Sequence, residues 1–423
     1  MTRFARRVVG VIRRYPATFA LLVALAAVWI VAIPTGPEGP FSPPAAGLNA
    51  ENLAHQHWWV LFTSLIAAGG VVQFVLSIVA AVVVVGLAER WMGWRRTLIA
   101  FVVTGVLAGG LGLGLELLGS TVGEFWSSSV RGVVTLDPLT PIAGTLAWAS
   151  AWAGPVERRR ARTLLVGIGA TLLLYSGQPA DLYLLVAVGL GVGFGALSRR
   201  ERSPRWPATR HETRSLLSTV TVLLAVGPLL TLLSVDRYGL LSPLGIALTD
   251  PTTHPVVVHC VAGDIAPDCI GQLTSLPGHS ISTALVSLLP LVLFVIAARG
   301  LALGRRAAVV ILVVLSVVQG AASAWYYGVV PVSGDPYTVP LAPQRYWEVS
   351  LWLVVSTLVP LAYALVLVLR RNAFPVQMTR TGVIGAVGAM AASFVLPAGG
   401  FVLAAHAIRH QFRESPDWGE LIT

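Results

Sequence analysis

The feature that most limits what this chain can become is the recurrence of long apolar runs. They fall at about 16–33, 58–87, 97–119, 138–153, 163–177, 181–198, 215–235, 282–303, 307–328, 349–369 and 381–407. A helix needs roughly 20 apolar residues to cross a bilayer, and only helices or closed barrels satisfy every backbone group there. With 55% hydrophobic residues, 11% charged residues and a mean hydropathy of +0.77, the chain is too apolar for an ordinary soluble protein. The pattern predicts an all-α polytopic integral membrane protein with about 11 transmembrane helices. The first run follows an Arg-rich start and ends in "PTGPEGPFSPP" rather than a small-residue cleavage site, so it reads as a retained anchor.

The basic residues are arginines throughout, which excludes lysine Schiff-base chemistry. A net charge of +10 does not point to nucleic acid, because the arginines sit in short clusters between apolar runs. Clusters occur in the N-terminal tail and at 90–96, 158–162, 199–214, 299–306 and 370–380, whereas the intervening loops hold only Arg131, Arg237 and Arg345. The positive-inside rule then predicts a cytoplasmic N terminus, with anionic lipid headgroups as secondary contacts of the arginines. Trp58, Trp59, Tyr346 and Trp347 fit as outer interface anchors, and Trp91 and Trp94 as inner ones. Eleven crossings would put the C terminus outside, while the tail "RHQFRESPDWGELIT" is basic at its start, which favours inside.

The segment "RRERSPRWPATRHETR" (199–214) reads as a cytoplasmic linker. It separates a six-helix unit (1–198) from a second helical unit (215–423) with a long outer loop at 236–281. That loop carries Cys260 and Cys269 in "HCVAGDIAPDC". A disulfide between them suits an oxidising exterior, and two unpaired thiols are the alternative.

The first unit resembles the rhomboid intramembrane proteases. The stretch "HWWVLFTSLIAAGGVVQFVLS" (57–77) matches the aromatic and Thr-Ser start of their second helix, "GLAERWMGWRR" (86–96) their Glu-Arg-x-x-Gly-x-x-Arg turn, and "GLGVGFG" (189–195) their tightly packed sixth helix. The catalytic letters differ. Ala68, Gln73 and Ser77 stand where that family places His, His and Asn. The fourth helix, "LDPLTPIAGTLAW" (136–148), lacks Gly-x-Ser-Gly and puts Leu139 or a neighbour at the nucleophile. No His occurs between His57 and His211, so proteolysis by a Ser–His pair has neither nucleophile nor base.

Other constellations are weaker. His55 and His57 form a two-residue "HQH" without a third metal ligand, and no metal or cofactor is predicted. "SLPGHS" (275–280) has His279 in the wrong order for a lipid-phosphatase motif and reads as a turn and helix cap. "GGLGLGLELLG" (109–119) is a packing surface, with Gly105 and Gly109 four residues apart. Glu116 within that helix is costly unless it pairs or lines a cavity, and Arg131 is a conceivable partner. Asp137, Asp181, Asp236, Arg237, Gln319, Arg345 and Glu348 sit mostly at outer helix ends. There they are either solvated or hold a headgroup at a cavity mouth.

A second resemblance spans the chain. "LLSVDRYGLLSPLG" (232–245), "GRRAAVVILVVLSVV" (304–318), "RRNAFPVQMTRTGV" (370–383) and the ending "AAHAIRHQFRESPDWGELI" (404–422) are similar to the membrane region of actinobacterial MprF-like lysyl- or alanyl-phosphatidylglycerol synthase-flippases. The resemblance implies that this region binds or translocates phospholipid, phosphatidylglycerol or its aminoacyl derivative, and has no catalytic site. An aminoacyltransferase domain or partner protein would supply the chemistry, and the chain stops where that domain is expected. Glu116, Arg131, Asp181, Asp236, Arg237, Arg345 and Glu348 are then the lipid-contact candidates. The alternative is a rhomboid-like pseudoprotease that binds client membrane helices. A membrane hydrolase using His279 or the His55/His57 pair ranks third.

Overall fold

The structure is a computed structural model that describes residues 14–35, 43–122, 125–130, 132–199, 209–233, 239, 281–324 and 346–376. Among these residues the chain is helical throughout, without a named strand. The helices are α1 (Pro16–Thr35), α2 (Pro43–Ala46), α3 (Ala50–Ala54), α4 (Val60–Thr63), α5 (Val71–Met92), α6 (Trp94–Thr121), α7 (Phe125–Val130), α8 (Leu139–Ala149), α9 (Pro155–Tyr175), α10 (Pro179–Ser198), α11 (Arg210–Leu233), α12 (Ile281–Ala302), α13 (Arg306–Ala324) and α14 (Tyr346–Leu369). Three of them, α5, α6 and α10, are long and apolar enough to cross a membrane, and α1, α8, α12, α13 and α14 contain shorter apolar stretches. The predicted last run at 381–407 lies outside the described residues.

The apolar stretch 58–87 is not one helix. It breaks into α4, an irregular segment and α5. Gly70 is extended (φ −172°, ψ 169°), and the Gly69 N–H donates to Gln73 Oε1 at 2.7 Å instead of to a helical carbonyl. Two adjacent glycines lower the cost of leaving the helix here. Farther along, Ala81–Val85 of α5 forms a π-turn against α1 and α8.

The first unit is built on backbone contact between α8 and α10. A Cβ on Gly191 would lie 2.3 Å from Gly144 O, and one on Gly195 would lie 2.7 Å from Trp148 O. The predicted small-residue seam in 189–195 is therefore a real close approach. On α6, Gly105 packs under Leu65 and Pro141, Gly109 under Leu48, and Gly112 under the Tyr183 ring. A core of Leu21, Leu25, Leu65, Val85, Phe101 and Ile142 joins α1, α5, α6 and α8.

The second unit centres on Leu301, Leu312, Leu367 and Phe374, all fully buried. It meets the first along α9 and α11, where Gly227 lies beneath the Tyr175 ring and Gly167 against Leu223. At one end of that seam Arg159 forms a two-pronged ion pair with Glu212, which is 3% exposed. Every arginine among the described residues lies at this same end, at the starts of α1, α6, α9, α11 and α13 or the ends of α5, α10, α12 and α14.

Candidate functional site

The opposite end of the first unit gathers carboxylates. Glu116, four residues beyond Gly112 on α6, is 2% exposed and accepts a hydrogen bond from the Tyr183 hydroxyl of α10 at 2.9 Å. Gly112 makes room for the Tyr183 ring, so the pair is set by one missing side chain. The predicted partner Arg131 lies outside the described residues, and the phenol is the partner seen.

Asp137 and Asp181 are also buried, and each has a backbone task. Asp137 accepts from the N–H groups of Leu139 and Thr140 at 3.1 and 3.2 Å and from the Thr140 hydroxyl at 2.7 Å, which caps α8. Its negative charge also suits a helix N-terminus. Asp181 closes a capping box at the start of α10, accepting from the Gln178 N–H at 2.9 Å.

Gln73 links this end together. Its Nε2 donates to Leu136 O and, at 3.3 Å, to Asp137 Oδ1, while its Oε1 accepts from Gly69. Gln73 therefore ties the broken segment to the approach to α8. Ser77 is buried and donates to Gln73 O at 2.7 Å. Leu139 is the first residue of α8. The His57 ring stacks on Trp59 with centroids 4.5 Å apart, and His55 lies 6.2 Å from it. Among the described residues no three His, Cys, Asp or Glu side chains gather as a metal site.

The shared turn "GLAERWMGWRR" has a structural use. Glu89 is buried and accepts from Ala17 N at 3.0 Å, Thr18 N at 2.9 Å and the Thr18 hydroxyl at 2.8 Å. It caps α1 across 72 residues of sequence. Gly93 ends α5 at φ +82°, ψ 159°, a conformation open essentially to glycine. Above this cap, an apolar recess of about 180 Å³ runs between α1 and α6, lined by Ala17, Ala20, Ala24, Val85, Leu98 and Phe101 among others. It is too small for a whole phospholipid.

Of the remaining site residues predicted from sequence, Asp236, Arg237, Arg345, Cys260 and Cys269 lie outside the described residues, as does His279. Glu348 lies in the first turn of α14. Sequence reasoning did not foresee Tyr183 as the partner of Glu116, Gln73 as a tie, or Glu89 as a cap. The spacing of Gly112 one turn before Glu116 was the only signal for the first of these.

Among the described residues, fold and site together define a helical protein with three helices long and apolar enough to cross a membrane and a buried acidic end. The chain is 28% identical over 341 residues to an uncharacterized protein of Corynebacterium glutamicum, an alignment covering 78% of this chain and 42% of that protein. The chain thus spans less than half the length of that relative. No protein-family model matches the chain, and no solved structure matches it.

Proposed function

We propose that this chain is a membrane domain that binds or translocates phospholipid, phosphatidylglycerol or its aminoacyl derivative, in a bacterial plasma membrane with the N terminus cytoplasmic. It acts without a catalytic site of its own, and the chemistry belongs to an aminoacyltransferase domain or partner protein. The observation that carries this reading is the Glu116–Tyr183 pair, buried between two membrane-crossing helices. An ionisable group in that setting is expensive, and its usual use is to line the path of a polar substrate. The protease positions support the same reading, since Gln73 and Ser77 serve the backbone rather than a nucleophile.

The test is reconstitution in vesicles with fluorescent phosphatidylglycerol or phosphatidylcholine, followed by quenching from outside. Transbilayer exchange selective for phosphatidylglycerol, slowed several-fold by Glu116→Gln, is the expected result. No exchange and no retained anionic lipid in the wild-type chain would overturn the proposal. The pseudoprotease alternative draws on the exposed apolar row Val71, Val75, Val79 and Val82 of α5. It requires a photocrosslinker at Val75 or Val79 to capture one defined client helix rather than lipid.

A further inference from the structure

At the arginine end, the loop joining α8 to α9 is held by guanidinium groups from three helices. Arg162 Nε donates to Ser150 Oγ at 2.9 Å, and Arg158 donates to Ala153 O at 3.2 Å. Arg199 donates to Ala151 O, and Arg96 lies 5.4 Å from the centroid of the Trp152 ring. Successive loop residues therefore each meet a different arginine. Arg158 and Arg162 are one turn apart on α9 and share a face.

These contacts leave the cluster short of acceptors. A guanidinium carries five N–H donors, and Arg158, Arg162 and Arg199 each use one on the loop. The Arg158 Nε is buried with no partner. Among the described residues no carboxylate lies within ion-pair distance of the three. Glu212 is taken by Arg159, Glu89 by the start of α1, and Glu157 is exposed and forms no ion pair. Arg158 is close enough to Arg159 and Arg199 to repel both, and Arg162 is repelled by Arg158. Gathered like charges cost free energy that a bound anion relieves, and the Arg158 Nε shows that the fold supplies this guanidinium too few acceptors.

We propose that Arg158, Arg162 and Arg199 form a binding site for a phosphate group, either that of a phospholipid head or free phosphate. Guanidinium forks match phosphate oxygens in pairs, and the three donors approach from α9 and the end of α10 around a loop already fixed in place. The lipid source rests on the function proposed above, whereas the anion site rests on the arginine geometry alone.

The test uses the full chain in two preparations. In lipid-free detergent, binding of inorganic phosphate is measured by calorimetry at constant ionic strength. In nanodiscs of mixed phosphatidylglycerol and phosphatidylcholine, retained lipid is counted by native mass spectrometry. The variant Arg158→Gln/Arg162→Gln is compared with Arg95→Gln/Arg160→Gln, which removes the same charge from exposed positions at the same end. Loss of about tenfold or more in affinity or retention is expected for the first pair, and less than about twofold for the second. Should the first pair not fold, Arg158→Lys/Arg162→Lys keeps the charge and is expected to lose most of the affinity with the forks.

Retained phosphatidylglycerol lost only in the cluster variant assigns a lipid headgroup. Saturable inorganic phosphate lost in the same way assigns a free anion. Equal effects in both pairs, or none in the cluster variant, overturn the site. A wild-type chain that retains phosphatidylglycerol unchanged by the cluster variant defeats this site but leaves the lipid reading. One that binds inorganic phosphate but retains no anionic lipid does the reverse.

Discussion

Replacing Gly191 with alanine adds one methyl group where α8 and α10 meet backbone to backbone. The new Cβ would lie 2.3 Å from Gly144 O, 2.9 Å from the Trp148 amide nitrogen and 2.9 Å from the Ala147 Cβ. Favourable carbon contacts lie at about 3.5–4.0 Å, so the shortfall against the carbonyl is more than about 1 Å. The obstacle is mostly main chain, which cannot rotate aside as a side chain would, so the two helices must separate. Overpacking of this kind costs about 1–3 kcal/mol, and a rigid obstacle puts Gly191→Ala at the upper end. Two residues away, a Cβ on Gly193 meets nothing within 4 Å. There alanine gains about 0.5–1 kcal/mol from reduced backbone freedom in the unfolded chain. The two variants carry the same chemical change on the same helix and should differ by about 3.5–4 kcal/mol. Unfolding in mixed micelles titrated with dodecyl sulfate and followed by circular dichroism measures that difference. Variants of equal stability would show that α8 and α10 do not approach at the predicted seam.

Glu89→Ala removes the cap of α1 and should cost about 2 kcal/mol, with faster amide exchange at Ala17 and Thr18. Gly93→Ala forces an L side chain to φ +82° and should cost about 1–3 kcal/mol in the same micelle titration. Arg159→Met strands a buried Glu212 carboxylate and should cost about 3 kcal/mol, most of which returns when Glu212→Leu is added.

The parts of the fold legible in the sequence are those written in local composition. Arginine clusters mark the turns, and glycines four apart on α6 and α10 mark close helix contact, because both signals are carried by near neighbours. The break at 64–70 was hidden, because every residue in it is as apolar or small as those in the helices beside it. In a membrane-facing helix the apolar residues go all the way round, so no periodicity reports where the helix stops. The Glu116–Tyr183 bond joins residues 67 positions apart, and the Glu89 cap joins residues 72 apart. Long-range polar pairs of this kind leave no trace in spacing. The sequence therefore flagged Glu116 as a costly residue without saying what satisfies it. It also flagged "GLAERWMGWRR" as a motif without showing that its glutamate serves a different helix.

The distribution of charge between the two ends carries an argument that the fold alone does not. Arg95, Arg96, Arg158 and Arg306 occupy the first turns of α6, α9 and α13, where the helix dipole disfavours a cation by about 0.3–1 kcal/mol each. Asp137 and Asp181 sit at helix starts where that dipole favours them. Helix energetics accounts for the acidic end but opposes much of the arginine end. Contacts within the fold offset part of that cost, since Arg96 lies over Trp152, Arg158 donates to Ala153 O and Arg306 Nε donates to Phe374 O at 2.9 Å, and the asymmetry of membrane insertion is a further cause. The proposed cytoplasmic placement of the arginine end makes a direct prediction. In a chain with Cys260 and Cys269 replaced by serine, single cysteines replacing Arg95 and Arg160 should react only with reagents admitted to the cytoplasmic side, and one replacing Glu51, beyond the acidic end, only from outside. Labelling of Arg95→Cys by an impermeant maleimide added to intact cells would refute that orientation, and would leave the contacts of Arg96, Arg158 and Arg159 within the fold as the reason for the arginines there.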